Sequence, residues 1–324
     1  MPRRSGVTLV EVLVAIFVMG IGLIALLTLF PIGILRMGQS IRHDRCTQSA
    51  INAYAIAVMQ NVCNDPLVVS PAAGGGDYFR NPNPAPKKGS AAGDAEDYGP
   101  SYAVFVDPGG YVALAGLGLS KNWVTGQNTN NLRRRPTSFA TTQAASRRWF
   151  SLLDETLFYN SDQLAQLPGT PQNFGGSYVR DSHFSWAYLL RRPQTRDTSV
   201  VECTIVVFEN RPLLGLQGIE NAFSATFDLT TNSITVMSAV PPNVRPGDWV
   251  YDGSILPGAN GKIDIPACFY RVVAVDQGGA AVRFEVATPI RPLRSSPAAT
   301  SYPGTLIVME NIAEVYERGP IRLP

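Results

Sequence analysis

The sequence is poor in charged residues. Of its 324 residues only 16 % are charged, and Lys and Arg (27) nearly balance Asp and Glu (25), which gives a formal net charge of +2. Such a chain has neither the basic surface typical of nucleic-acid-binding proteins nor the charge excess of a disordered one. We therefore expect no nucleic-acid partner, and the function has to be inferred from local sequence features.

Histidine and local cysteine motifs are also scarce. The two histidines, His43 and His183, offer little for a metal site or a serine-histidine-aspartate triad, so we expect no metal, no cofactor and no enzyme activity. There is no C-x-x-C pair, which argues against a zinc ribbon or a redox motif. There is no G-x-x-x-x-G-K-[ST] loop either, so the chain is not expected to be a nucleotide-driven motor.

The four cysteines are far apart in the sequence. Cys46 and Cys63 are 17 residues apart, so on one helix they would be about 25 Å apart and could not bond to each other. For Cys203 and Cys268 two interpretations stay open, a disulfide in an oxidising compartment or two buried free thiols.

The N-terminus holds the most informative pattern. The basic segment M-P-R-R-S-G precedes residues 7–35, in which Glu11 is the only charged residue. Residues 12–35 are uncharged and mostly apolar, and as a helix they would be about 36 Å long, enough to cross a hydrocarbon core of roughly 30 Å. We expect a transmembrane helix there. No A-x-A site follows the run, so a conventional cleaved secretory signal fits less well.

Glu11 needs a partner, because an unpaired carboxylate at the edge of an apolar run costs on the order of a few kcal/mol. Cleavage between Gly6 and Val7 would create an α-amino group with an intrinsic pKa of about 8, four residues before Glu11. The amine and the carboxylate could pair within one helix or between neighbouring subunits. The alternative is an uncleaved signal anchor whose Glu11 lies among the lipid headgroups.

Residues 4–15, R-S-G-V-T-L-V-E-V-L-V-A, resemble the processing signal of type IV prepilins and of type II secretion pseudopilins. The resemblance implies that a prepilin peptidase cuts after Gly6, that Val7 is the N-methylated first residue, and that Glu11 acts in assembly. The apolar run is more similar to minor pilins and minor pseudopilins than to major ones. Two departures are Val7, where Phe is commonest, and Pro31, which lies later than the proline of major pilins.

The resemblance also implies a location and partners. We expect a single-pass protein of the inner (cytoplasmic) membrane, with leader 1–6 in the cytoplasm and the head in the periplasm or outside the cell. Expected partners are prepilin peptidase, other pilin or pseudopilin subunits, the inner-membrane assembly platform and membrane lipid. The implied function is a minor subunit of a type IV pilus or a type II secretion pseudopilus. Two alternatives stay open: an extracytoplasmic binding protein on an uncleaved signal anchor, and an anchored enzyme with an unrecognised site.

The expected fold class is α+β, with a long N-terminal helix followed by an antiparallel β-rich head. The helix is predicted at residues 7–65 and should end at Asp65, before a proline. Its second half is amphipathic, with a predicted buried stripe at Ile51, Tyr54, Val58 and Val62. Residues 66–100 are predicted to be a low-complexity loop. The arginine-rich stretch 126–148 is predicted to be a solvated loop, with an anionic contact surface as the less favoured alternative.

From residue 101 onwards, β-branched and aromatic segments alternate with turn residues. Turns at 230–232 and 277–279 predict two hairpins. We expect a β-rich head at 101–240 and a C-terminal β subdomain at 241–324 that contains a small barrel or sandwich. Short acidic turns at Asp107, Asp252 and Asp276 are predicted to be ordinary turns rather than calcium sites. Strands are predicted at 101–107, 151–159, 182–191, 199–209, 222–229, 233–239, 248–251, 269–275, 282–287 and 305–316.

Overall fold

The structure of the protein is a computed structural model. It describes residues 8–69, 103–116, 132, 134–159, 177–180, 183–191, 200–211, 220–238, 242–257, 263–278, 281–293 and 296–322. The chain forms two compact units, Met1–Gln48 and Ser49–Pro324. An N-terminal helix followed by a β-rich region with antiparallel sheets agrees with the predicted fold class.

The first helix, α1 (Leu9–Met59), continues through Pro31. In the first unit its surface is apolar: the described large hydrophobic side chains from Leu9 to Met37 are between 48 % and 78 % exposed. Among the residues that the structure describes, no helix was found to be long and apolar enough to cross a membrane. The transmembrane assignment of residues 12–35 therefore stays a prediction.

The helix ends earlier than residue 65, the predicted end. After Met59 the chain enters the left-handed region at Asn61 (φ 47°, ψ 49°), a conformation that commonly ends a helix. A 3₁₀ turn, Val62–Asn64, follows, and then the short helix α2 (Pro66–Val69). Asp65 therefore precedes a new helix instead of closing the long one, and Pro66 is its first residue, a position that proline favours.

The buried face of α1 in the second unit differs from the predicted stripe. Val62 is buried and Tyr54 is half-buried, but Ile51 and Val58 are 56 % and 50 % exposed. Small residues are buried instead, each at most 1 % exposed: Ala50, Ala53 and Ala57. Because alanine has a minimal side chain, this face lets the helix backbone approach the large side chains of the neighbouring sheet.

That neighbour is a five-stranded sheet, called the central sheet below, in the order β15-β6-β5-β1-β2. Its pairs are antiparallel except for β1 and β2, which are parallel, so the predicted antiparallel arrangement is wrong for this one short edge. The strands are β1 (Val104–Val106), β2 (Arg134–Arg135), β5 (Phe184–Arg191), β6 (Val200–Glu209) and β15 (Ile312–Arg322).

The two faces of this sheet have different neighbours because side chains alternate along each strand. On one face, the Tyr188 hydroxyl donates to the carbonyl of Ala53 in α1 (2.8 Å) and accepts a hydrogen bond from the Trp186 indole N–H (3.2 Å). On the other face, Leu189 belongs to a buried cluster that also contains Phe269 of the barrel described next. The sheet therefore lies between the helix and the barrel.

Six strands form a closed barrel in the order β12-β13-β8-β7-β14-β9, with every pair antiparallel. Its interior is filled by side chains such as Phe227 and Phe284, both fully buried. The barrel strands are β7 (Glu220–Asp228), β8 (Ser233–Met237), β9 (Trp249–Asp252), β12 (Cys268–Gly278), β13 (Ala281–Val286) and β14 (Ser301–Met309).

Both predicted hairpins are present, because β7 pairs with β8 and β12 pairs with β13. The predicted single strand 305–316 is wrong. Asn311 has φ 65°, and this left-handed residue separates β14 in the barrel from β15 in the sheet. The division at 240/241 stays a prediction, although the barrel pairs strands from both sides of that point.

The remaining elements are short. In the stretch 126–148, predicted to be a loop, β2 precedes α4 (Gln143–Trp149), whose first turn is capped by the Thr142 hydroxyl. The predicted loop 66–100 begins with α2, and residues 70–100 lie outside the described part. The other elements are α3 (Pro108–Gly116), β3 (Thr156–Tyr159), β4 (Ser177–Arg180), β10 (Leu256–Pro257) and β11 (Ile263–Asp264).

Candidate functional site

Four charged side chains are buried together in the head: Asp107, Arg134, Arg211 and Glu220, which we call the buried quartet. Arg134 donates from Nε to Asp107 (2.8 Å) and from Nη2 to both oxygens of Glu220 (2.7 Å each). Arg211 donates two bonds to Asp107 (3.0 and 2.9 Å) and one to Glu220 (2.8 Å). The two guanidinium groups and two carboxylates balance in charge.

Two members of the quartet, Asp107 and Arg211, are held in their charged forms. Burial acts to raise the pKa of Asp107, but Arg211, Arg134 and the backbone N–H of Gly110 together lower it to about 2. Burial acts to lower the pKa of Arg211, and its two carboxylate partners raise it above its usual value. Asp107 directly follows β1 and Glu220 begins β7, so the quartet ties the central sheet to the barrel.

The quartet contains residues from two segments that the sequence analysis considered, the arginine-rich stretch 126–148 and the acidic turn at Asp107. Two interpretations were open for the arginine-rich stretch 126–148, a solvated loop and an anionic contact surface. Arg134 fits neither of them, because it is 0 % exposed. Arg135 is half-buried and donates to the carbonyl of Arg134 (3.3 Å), while residue 133 lies outside the described part. The turn at Asp107 is not an exposed acidic turn either, because its carboxylate is held by the two guanidinium groups.

A second buried carboxylate, Asp252, ends β9 inside the barrel. It accepts hydrogen bonds from the Tyr302 hydroxyl (2.8 Å) and from the backbone N–H (3.0 Å) and hydroxyl of Ser254. Burial raises the pKa of Asp252 to about 6, although these hydrogen bonds act to lower it. Gly304 makes room for the cluster, since a Cβ there would lie 2.0 Å from the Ser254 hydroxyl.

The other candidate ligands lie on or beside different elements. His43 lies on α1, and His183 directly precedes β5 with its Nε2 3.7 Å from a Glu209 carboxylate oxygen. Asp276 lies within β12, opposite Arg283 of β13. Within the described ranges, no group of three or more His, Cys, Asp or Glu side chains could hold a metal ion.

At the start of α1, Thr8 and Glu11 form hydrogen bonds in both directions. The Thr8 backbone N–H donates to the Glu11 carboxylate (3.1 Å), and the Glu11 backbone N–H donates to the Thr8 hydroxyl (3.4 Å). The two side-chain oxygens are also 3.3 Å apart. This is a capping box, in which the first free N–H groups of a helix are satisfied by the two side chains.

A comparison with protein-family models matches residues 1–27 to the prokaryotic N-terminal methylation motif. The chain carries a prepilin-type methylation motif. This is the signal of type IV pilins and pseudopilins, so the resemblance expected from residues 4–15 is confirmed. No curated protein and no solved structure matched the chain.

The methylation motif includes all three residues predicted for processing and assembly. Gly6 and Val7 lie outside the described residues, and their roles stay predictions, as does that of Glu11. The structure brings Glu11 together with Thr8, a partner that the sequence analysis missed although Thr-x-x-Glu before an apolar run is a known sign of a capping box. No local sequence pattern predicted the buried quartet or the hydrogen bonds of Asp252.

Proposed function

We propose that the protein is a structural subunit, not an enzyme, that prepilin peptidase processes and that assembles through α1 into a type IV pilus or a type II secretion pseudopilus, as a minor component. The observation that carries this proposal is the methylation motif at residues 1–27. The proposed partners are prepilin peptidase, the other subunits of the filament and the inner-membrane assembly platform.

The proposed location before assembly is the inner membrane, with residues 12–35 in the bilayer and the head outside the cytoplasm. This part rests on the methylation motif and on the apolar surface of α1 between Leu9 and Met37, because no described helix was identified as a membrane span. Large exposed apolar surfaces are rare on proteins that remain in water. Lipid would cover this surface first, and helices of other subunits would cover it after assembly.

Glu11 is proposed to control the register of assembly. The capping box gives its carboxylate a partner within the same chain, so Glu11 does not depend on another subunit before assembly. After cleavage the amine of Val7 would lie beside the cap, and the amine of a neighbouring subunit could replace the Thr8 N–H as a charged donor. A charged donor forms a stronger hydrogen bond than a neutral one, which favours the correctly packed neighbour.

The mature N-terminus tests the proposal. The full chain is expressed with and without a prepilin peptidase, and intact mass and N-terminal peptides are measured. We expect residues 1–6 to be lost and Val7 to gain a methyl group only when the peptidase is present. Gly6→Asp should block this change, while the neighbouring substitution Ser5→Ala should leave it intact.

An unprocessed Met1 in the presence of an active peptidase would contradict the proposal. That result would favour the alternative function, an extracytoplasmic binding protein on an uncleaved signal anchor. Membrane fractionation of the same cultures tests the location separately: the protein should sediment with the inner membrane and resist extraction by carbonate. Recovery in the soluble fraction would contradict the membrane location without affecting the processing result.

A further inference from the structure

Two buried cysteines lie on opposite sides of the contact between the N-terminal helix and the central sheet. Cys63 is in the 3₁₀ turn that follows α1 and is 0 % exposed. Cys203 is in β6 and is 1 % exposed. Both are free thiols in this structure.

The strand register shows which way Cys203 faces. Cys203 is directly opposite Leu190 of β5, and Leu190 is two residues from Tyr188 on the same strand. Because directly opposite and alternate residues share one face of a sheet, Cys203 points to the same side as Tyr188. That is the side of the helix, since the Tyr188 hydroxyl donates to the Ala53 carbonyl (2.8 Å).

The two thiols are close enough to influence each other. Burial raises the pKa of Cys203 above its usual value, and neighbouring Cys63 raises it further, against the opposing effect of Arg318. Burial also raises the pKa of Cys63, to about 12. Both cysteines act electrostatically on Tyr188 as well, which places all three groups in one region of the helix–sheet contact.

We propose that Cys63 and Cys203 form a disulfide that joins the end of the N-terminal helix to the central sheet. The inference rests on the proposed function in one respect, because it needs a head that folds outside the reducing cytoplasm. The oxidant is a protein disulfide of the dithiol oxidase class: the two thiols lose two electrons and two protons, and the oxidant disulfide becomes a dithiol. The bond would close a loop of residues 64–202, which includes β1 to β5 of the head.

The bond should form during folding rather than afterwards. Only a thiolate attacks a disulfide, and in the folded, reduced head both thiols are protonated at neutral pH and shielded from solvent. Before the helix end packs on the sheet, the thiols are accessible and have ordinary reactivity. Oxidant added to the folded, reduced protein should therefore act much more slowly than the same oxidant present during refolding.

The experiment uses the full chain in detergent micelles, reduced and unfolded, then refolded in a glutathione redox buffer. Remaining thiols are alkylated, and the protein is digested and analysed by mass spectrometry. We expect a linked peptide that contains Cys63 and Cys203, with a mass lower by two hydrogen atoms, and alkylated Cys46 and Cys268. The melting temperature should fall on addition of reductant in the wild type, but not in Cys63→Ser or Cys203→Ser.

Alkylation of both Cys63 and Cys203 in refolded protein with native circular dichroism would overturn the proposal, as would a linked peptide that pairs either one with Cys46 or Cys268. The matched variants Cys46→Ser and Cys268→Ser should still form the bond between Cys63 and Cys203. The same digest of protein taken from cells tests the compartment separately. A bond that forms in vitro but is absent in cells would contradict the proposed location of the head and not the pairing.

Discussion

The backbone N–H of Thr8 donates to the carboxylate of Glu11, and the backbone N–H of Glu11 donates back to the hydroxyl of Thr8. The carboxylate proposed to act in assembly is thus also part of the cap that starts α1. Two effects must be separated by mutation: the loss of the cap and the loss of the charge.

Substitutions at Thr8 and Glu11 separate these effects. Glu11→Val removes the charge together with the carboxylate that accepts from the Thr8 N–H, and we expect it to leave the protein in the membrane fraction but to abolish its recovery in sheared filaments. Thr8→Val removes only the hydroxyl and should weaken the helix start by about 0.5–2 kcal/mol, so incorporation is reduced but not lost. Thr8→Ser keeps the cap and is the matched control. Normal incorporation of Glu11→Val would contradict the role of Glu11.

The alanine face of α1 gives a second prediction. Ala53 is 0 % exposed and faces the sheet, so Ala53→Leu should force the helix away from Tyr188 and cost about 1–3 kcal/mol of unfolding free energy. Ile51→Leu, two residues away but 56 % exposed, should change stability by less than about 0.5 kcal/mol. Urea unfolding followed by fluorescence measures both. Equal effects of the two changes would contradict the assignment of the buried face.

The buried quartet predicts a large loss of stability when one cation is removed. Arg211→Met leaves two carboxylates facing a single guanidinium group and should cost about 3–5 kcal/mol. Adding Glu220→Gln restores the charge balance and should recover part of this loss. The control is Arg283→Met, because Arg283 is exposed and its removal should have a small effect. A double variant no more stable than Arg211→Met alone would show that charge balance is not the cause.

Asp252 predicts a pH dependence with a definite sign. Its pKa is about 6 in the folded protein and 3.8 in the ordinary carboxyl group, so the folded state holds the proton more tightly. Stability should therefore fall as pH rises from about 4 through 6, by about 3 kcal/mol. Asp252→Asn should remove most of this dependence on pH. At about pH 8 the variant should need a higher urea concentration to unfold than the wild type. The measurement is urea unfolding at several pH values.

Asp107 acts in the opposite direction and in a lower window. Its pKa of about 2 means that the folded state binds the proton less readily than the ordinary group at 3.8. Its contribution is present above about pH 4 and is lost as pH falls towards 2. Measurements between about pH 5 and 8 therefore report on Asp252 without interference from Asp107. A slope that persists in Asp252→Asn within this range would contradict the assignment.

The sequence was most informative where the signal is contiguous. The methylation motif occupies adjacent residues in a fixed order, so it could be recognised without knowledge of the fold. The two hairpins were predictable for the same reason, because a hairpin joins neighbouring strands through a short turn. The prediction of one strand at 305–316 failed because its β-forming residues continue almost without a break. A turn of two residues, Glu310 and the left-handed Asn311, separates two strands that join different sheets.

The features that were missed depend on distant residues. Arg134 and Glu220 are 86 residues apart in sequence and Arg211 and Asp107 are 104 apart, so no local pattern could show that these charges are buried together. The prediction of the buried face of α1 failed for a different reason. Helical periodicity is satisfied both by the large residues near Ile51 and by the alanines near Ala53, and close packing against large side chains selects the small ones.

The position of β14 and β15 has a consequence for biosynthesis. β14 lies between β7 and β9 in the barrel, and β15 lies at the edge of the central sheet beside β6. The barrel and the central sheet therefore cannot be completed until residues after 300 are synthesised, although the helix is synthesised first. A chain that ends before residue 300 would have an open barrel and an unfinished sheet, and proteases should degrade it.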